Sequence, residues 1–194
     1  MNAQGKRSGE TAREYAYRMI REQVISLELK PGEAFNDMEF AAKIGVSRTP
    51  VREAVIQLSE ESRIIEIFPQ RGMRIAPIDV ELVEEARSLR VLLEKQIAGM
   101  CCEMATEEDI KWLQENVGLQ EFYMENSRPE MVMQLDDEMH HKLFMICHRE
   151  LTYGMCQKLA IHYDRIRSLS VNTVKDNTII EDHRKIIQFI AEHK

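Results

Sequence analysis

The chain has 194 residues, with 26 Lys and Arg against 33 Asp and Glu, for a formal net charge of −7. That is material for one large domain or two small ones, and the acidic balance excludes a protein that simply coats nucleic acid with positive charge. No apolar run approaches the ~18 residues of a membrane span, and Met1 to Glu10 is polar, which reads as a flexible lead rather than a secretory signal and places the protein in the cytoplasm.

The charge is unevenly spread. Residues 1–76 carry 12 Lys and Arg against 11 Asp and Glu, a balance of +1; residues 77–194 carry 14 against 22, a balance of −8. A near-neutral first part still binds DNA if its arginines cluster. Cys101, Cys102, Cys147 and Cys156 form no CxxC pair and fall inside apolar helical patterns, so buried reduced thiols are expected.

Taken in order, Thr11 to Leu27 has a helical spacing: Tyr15, Met19, Ile20, Val24 and Leu27 recur at three and four. Lys30-Pro31-Gly32 is a turn. Phe35 should tuck under a short helix capped by Asn36 or Asp37, with Phe40, Ala41 and Ile44 apolar, ending at Gly45. The next helix runs from Arg48 to about Glu61, with Val51, Ala54, Val55 and Leu58 inward. Then the period shortens. Ile64 to Phe68 and Met73 to Ile75 are β-like, joined by Pro69-Gln70-Arg71-Gly72. Three helices and a small hairpin make a winged helix-turn-helix over residues 11–76.

The informative stretch is Gly45 to Ala54. Gly45 suits a tight turn, Ser47 an N-cap, and Pro50 the first helical turn. Arg48 and Arg52, four apart, share one face at the helix start. Guanidinium forks beside free helix N–H groups suit phosphates and base edges.

The segment LKPGEAFNDMEFAAKIGVSRTPVREAVIQLSEESRIIEIFPQRGMRIA resembles the DNA-binding domain of the GntR family of bacterial transcription regulators, most specifically in VSRTPVREA and PQRG. The resemblance implies that Ser47, Arg48, Thr49 and Arg52 meet the major groove of double-stranded operator DNA, and that Arg71 and Gly72 bring the wing tip to the backbone or minor groove. It also implies a homodimer on a pseudo-palindromic operator. The plainer alternative is a set of solvated arginines on a partner-binding winged helix. Two departures stand out. Ser62-Arg63 replaces the usual Gly where the recognition helix ends, and Met38 replaces a basic residue that some relatives carry.

Pro77-Ile78-Asp79 reads as a hinge, and residues 80–194 carry no β signal. Val80 to about Met104 is helical, with Leu82, Ala86, Leu89, Leu92, Leu93, Ile97 and Met100 inward. A second helix starts at Thr106 and carries Ile110, Leu113, Val117, Leu119 and Phe122. Further helices are expected from Pro129 to about His148, from Leu151 or Thr152 to about Leu169, and from Thr178 to Lys194, with a polar bend over Ser170 to Asp176. The expected fold class is mainly α, a winged helix-turn-helix followed by an all-α bundle.

Asp136 and His140 are four apart on one helical face, a spacing that can bite one divalent ion, although D-x-x-x-H alone is more often a surface polar pair. Together with His183, in Glu181-Asp182-His183, they resemble the metal group of the FCD ligand-binding domain in the FadR-like branch of the same family. The resemblance implies a divalent metal (zinc, nickel or manganese) at Asp136, His140 and His183. A small organic acid would bind beside it, with Arg90 and Arg165 as effector-binding residues and Arg167 as a further candidate. The family's last metal-binding His lies about two dozen residues past His183, beyond Lys194, so a closing helix is expected outside this sequence, or an open three-ligand site, or His162 or water in its place. A metal-free pocket for an apolar or acyl effector is the rival reading. An enzyme is not expected, since no H-E-x-x-H and no nucleophile with an evident base occur. Repression is the commoner sign in the family.

Overall fold

The structure is a computed structural model and describes residues 5–173 and 178–193. It divides into two compact units, Met1–Val83 and Glu84–Lys194.

In the first unit, α1 (Ala12–Ile25) starts at a capping box: Thr11 Oγ1 accepts from Glu14 N, and the Glu14 carboxylate accepts from Thr11 N. Residues 5–10, read as part of a flexible lead, are tied to α1. Arg18 Nε donates to Glu10 at 2.8 Å, and its Nη2 donates to the Gly5 carbonyl at 3.3 Å. The rest of that lead, residues 1–4, lies outside the described residues.

After β1 (Ala34–Phe35), α2 (Asp37–Ile44) is capped by Asn36, whose Oδ1 accepts from Met38 N and Glu39 N. Gly45 closes α2 at φ 74°, the left-handed geometry that glycine adopts most cheaply. Then α3 (Arg48–Ser62) packs on α1 through the fully buried Val51, Ala54, Val55 and Leu58. Arg63, where the family has Gly, takes the left-handed cap itself at φ 54°.

The wing is β2 (Ile65–Phe68) and β3 (Gly72–Ile75), but the sheet has three strands in the order β1-β3-β2, all antiparallel. The sequence reading missed β1 because two residues are too few to show a period. Arg71 N donates to the Phe68 carbonyl at 3.0 Å, with Pro69 and the positive-φ Gln70 at the turn centre. That is the pattern of a type II turn.

The second unit is helical, and its first helix begins in the last residues of the first: α4 (Val80–Met104), α5 (Glu107–Glu125), α6 (Pro129–Ile146), α7 (Glu150–Leu159), α8 (Ile161–Thr173) and α9 (Thr178–Ala191). Ile97 and Cys101 of α4, Leu113 and Val117 of α5, Met139, Leu143 and Phe144 of α6, and Ile180, Ile187 and Ile190 of α9 build one core. Cys101 and Cys147 sit in it with Sγ atoms 3.5 Å apart, and the four cysteines are free thiols.

Three expectations change here. The single helix from Leu151 to about Leu169 is two, α7 and α8, parted at Ala160. No Pro or Gly marks that break; it separates α7, which buries no residue, from α8, whose Ile161 and Arg165 are fully buried. Leu92 on α4, expected inward, is 71% exposed. Finally, Ser170–Thr173 belongs to α8, and the rest of the expected bend lies outside the described residues.

Candidate functional sites

The turn from α2 to α3 and the wing present one set of candidate residues. Ser47, Arg48, Thr49 and Arg52 are all exposed at the start of α3, and Arg71 and Gly72 are exposed at the wing tip. Ser47 occupies the N-cap position with φ −73° and ψ 164°, but its side chain makes no cap hydrogen bond. Arg48 Nε donates to Asp37 Oδ1 at 3.0 Å. The buried face of α3 is apolar, so packing against α1 aims the opposite, polar face outward.

In the second unit the fold brings together the three residues singled out for metal binding. Asp136 and His140 lie one turn apart on α6, and α9 delivers His183. One ligand atom from each falls within 4.8 Å of the others. His183 Nε2 is 3.5 Å from Asp136 Oδ1, and His140 Nε2 is 3.8 Å from Asp136 Oδ2. The two rings meet edge to face, 5.4 Å apart. All three residues are buried.

The surroundings of this group were largely missed in the sequence. On α5, Gln120 Nε2 donates to Asn116 Oδ1 at 2.7 Å, which turns Gln120 Oε1 toward His183 Nδ1 at 3.0 Å. On α4, Glu94 Oε2 lies 3.2 Å from His140 Nδ1. Burial opposes ionisation of Glu94, but His140 and Arg90 hold its carboxyl down at about 2. Burial works the same way on Asp136, and the charges around it, that of Arg167 foremost, together outweigh it and leave the carboxyl below its usual range. Burial lowers His183 to about 4.

Of the arginines, Arg90 pairs with Glu94 at 2.9 Å and lies over the Tyr163 ring. Arg165 is fully buried on α8, and burial lowers its pKa to about 10. The guanidinium on Asp136 belongs to Arg167, which also contacts Asp137 and Asp164, each at 2.9 Å. Asn116, Gln120 and Glu94 carried a sequence signal after all. They are polar residues spaced to share a face with Leu113, Val117 and Ile97, and a polar residue on a buried stripe needs a partner.

Two family models account for nearly all of the chain. Residues 12–75 match the bacterial regulatory proteins of the gntR family, and residues 85–194 match the FCD domain. The chain belongs to the GntR family, FCD branch. Among its GntR relatives is the HTH-type transcriptional repressor RspR of Escherichia coli strain K12. The two are 30% identical over 158 residues, 81% of this chain and 69% of RspR. An HTH-type transcriptional regulator in an unstable DNA locus of Streptomyces ambofaciens is 30% identical over 190 residues, 95% of this chain and 78% of that one. The solved structure of E. coli McbR/YncC has the same fold, with a TM-score of 0.81 at 17% identity, covering 95% of this chain and 88% of that chain.

These GntR relatives are transcription regulators, not enzymes. The chain is accordingly a DNA-binding transcription regulator with a helical FCD domain. Among the described residues, no helix is long and apolar enough to cross a membrane.

Proposed function

We propose that this GntR regulator reads operator DNA through α3 and the wing, and that Asp136, His140 and His183 hold a divalent ion that receives a small organic acid. On the DNA side, Arg48 and Arg52 contact base edges or phosphates, Ser47 and Thr49 add hydroxyl contacts, and Arg71 and Gly72 approach the backbone. A homodimer presenting two such heads suits a pseudo-palindromic operator. Repression is the sign we infer, because RspR is a repressor.

One observation carries the metal. Asn116 fixes the Gln120 amide so that its oxygen faces His183 Nδ1. That nitrogen then carries the ring proton, and Nε2 offers a lone pair directly toward Asp136 Oδ1. With a pKa near 4 the ring is neutral at pH 7, so two acceptors face each other across 3.5 Å. A cation satisfies both. The spacing is close to the ~3.3 Å that two ligands about 2 Å from a tetrahedral ion subtend. Two imidazoles and one carboxylate suit zinc, nickel or manganese. Gln120 then does what outer partners of metal-binding histidines do, fixing the tautomer and the ring plane. The bound ion would supply a Lewis-acid position for an effector carboxylate. Arg90, Arg165 and Arg167 would supply positive charge around it.

A metal-free pocket is favoured by a different observation: Arg167 already neutralises Asp136. Elemental analysis of the purified, desalted protein separates the two readings. Close to one zinc, nickel or manganese ion per chain is expected, and almost none in the Asp136→Ala, His140→Ala double variant. Equal trace metal in both proteins would favour the metal-free pocket.

A further inference from the structure

The recognition helix does not present Arg48 unaided. Asp37 opens α2, and its side chain is 3% exposed while that of Arg48 is 55% exposed. Arg48 Nε donates to Asp37 Oδ1 at 3.0 Å, and Asp37 Oδ2 is buried with no hydrogen-bond partner among the described residues. A buried carboxylate bonded through one oxygen costs stability relative to a fully bonded or apolar residue. Capping does not account for it, because Asn36 already accepts from Met38 N and Glu39 N.

The pairing does have a geometric effect on Arg48. An arginine at an exposed helix start carries much rotamer freedom. Tying Nε restrains the guanidinium plane and, on a side chain 55% exposed, leaves the Nη1–Nη2 edge available as a two-donor fork. Guanine offers O6 and N7 as two adjacent acceptors in the major groove, and a fork held in advance loses less entropy on meeting them. A phosphate, with oxygens pointing in several directions, makes a weaker demand on the plane. Asp37 also adds negative charge behind the fork, which disfavours binding through charge alone.

We propose that Asp37 is a positioning residue for sequence recognition, pinning Arg48 Nε so that the Nη edge meets a guanine of the operator. The inference rests on Arg48 being a base contact.

The test uses the full chain and a duplex selected by it from a randomised pool, with an unrelated duplex of equal length as control. Arg48→Ala should lose about 10- to 100-fold in affinity for the selected duplex. Asp37→Ala should lose about three- to tenfold on the selected duplex and nothing on the unrelated one. In the Arg48→Ala background, Asp37→Ala should cost nothing further. Asp37→Asn, whose amide oxygen can still accept from Nε, should fall between Asp37→Ala and the unsubstituted protein. Thermal unfolding of each variant reports any folding defect, and Asp37→Asn carries the comparison if Asp37→Ala does not fold. No loss in Arg48→Ala removes the base contact and the inference with it. A normal loss in Arg48→Ala overturns the positioning role alone if the losses add in the double variant, or if Asp37→Ala weakens both duplexes equally.

Discussion

Burial holds the His183 ring at a pKa of about 4, against an ordinary value of 6.5. In the unfolded chain the ring takes a proton near pH 6.5, while in the folded chain it resists protonation until about pH 4. Between those values the unfolded state binds more protons, so stability falls as the pH drops through that window. For the metal-free protein the loss between pH 7 and pH 5 should be about 2 kcal/mol. Urea unfolding at the two pH values measures it. His183→Gln should lack that part of the pH dependence, and an unchanged slope would mean the ring is not held neutral. Asp136, His140 and His183 were legible in the sequence because their spacing resembles a known motif. The arginine contact was less so. Which of the two arginines on α8 reaches Asp136 depends on how α8 turns against α6, and the structure gives that place to Arg167.

Helix α5 shows that the apolar residues of a helix do not by themselves define its buried face. The apolar residues singled out on it in the sequence are Ile110, Leu113, Val117, Leu119 and Phe122, of which Leu119 and Phe122 are exposed. The buried positions are Leu113, Asn116, Val117, Gln120 and Met124. That stripe includes two amides, and the amides are what orient His183. Apolar residues on a solvent face are ordinary; a polar residue on the buried face is the informative one. Gln120→Ala should therefore weaken metal binding by about 10- to 100-fold, measured by competition with a chelator of known affinity. Unchanged affinity would remove the amide from the site. Helix α3 carries a second element-scale prediction. Arg63 ends it in the left-handed region without being glycine, which costs about 1 kcal/mol or more. Arg63→Gly should raise stability by up to about 1 kcal/mol, after the extra freedom glycine gives the unfolded chain. The melting temperature reports it, and a fall would show that the Arg63 side chain contributes more than its backbone costs.

At the scale of the whole molecule, the two-part organisation was legible from the loss of any β signal after Ile75 and from the acidic excess confined to residues 77–194. Other features depend on tertiary packing. The third strand is two residues long and exists only through its pairing with β3. The break at Ala160 has no local breaker. Regulation adds one requirement: an effector bound in the FCD domain must prefer one state of the molecule over another, with a coupling on the order of 1–3 kcal/mol, or about 5- to 150-fold in affinity. The most direct test is an operator titration by the metal-loaded protein, with and without a panel of small mono- and dicarboxylic acids, repeated with the Asp136→Ala, His140→Ala variant. At least one acid should shift the affinity of the unsubstituted protein by about fivefold or more and leave that of the variant unmoved. The same shift in both proteins, or no shift from any acid, would contradict the account.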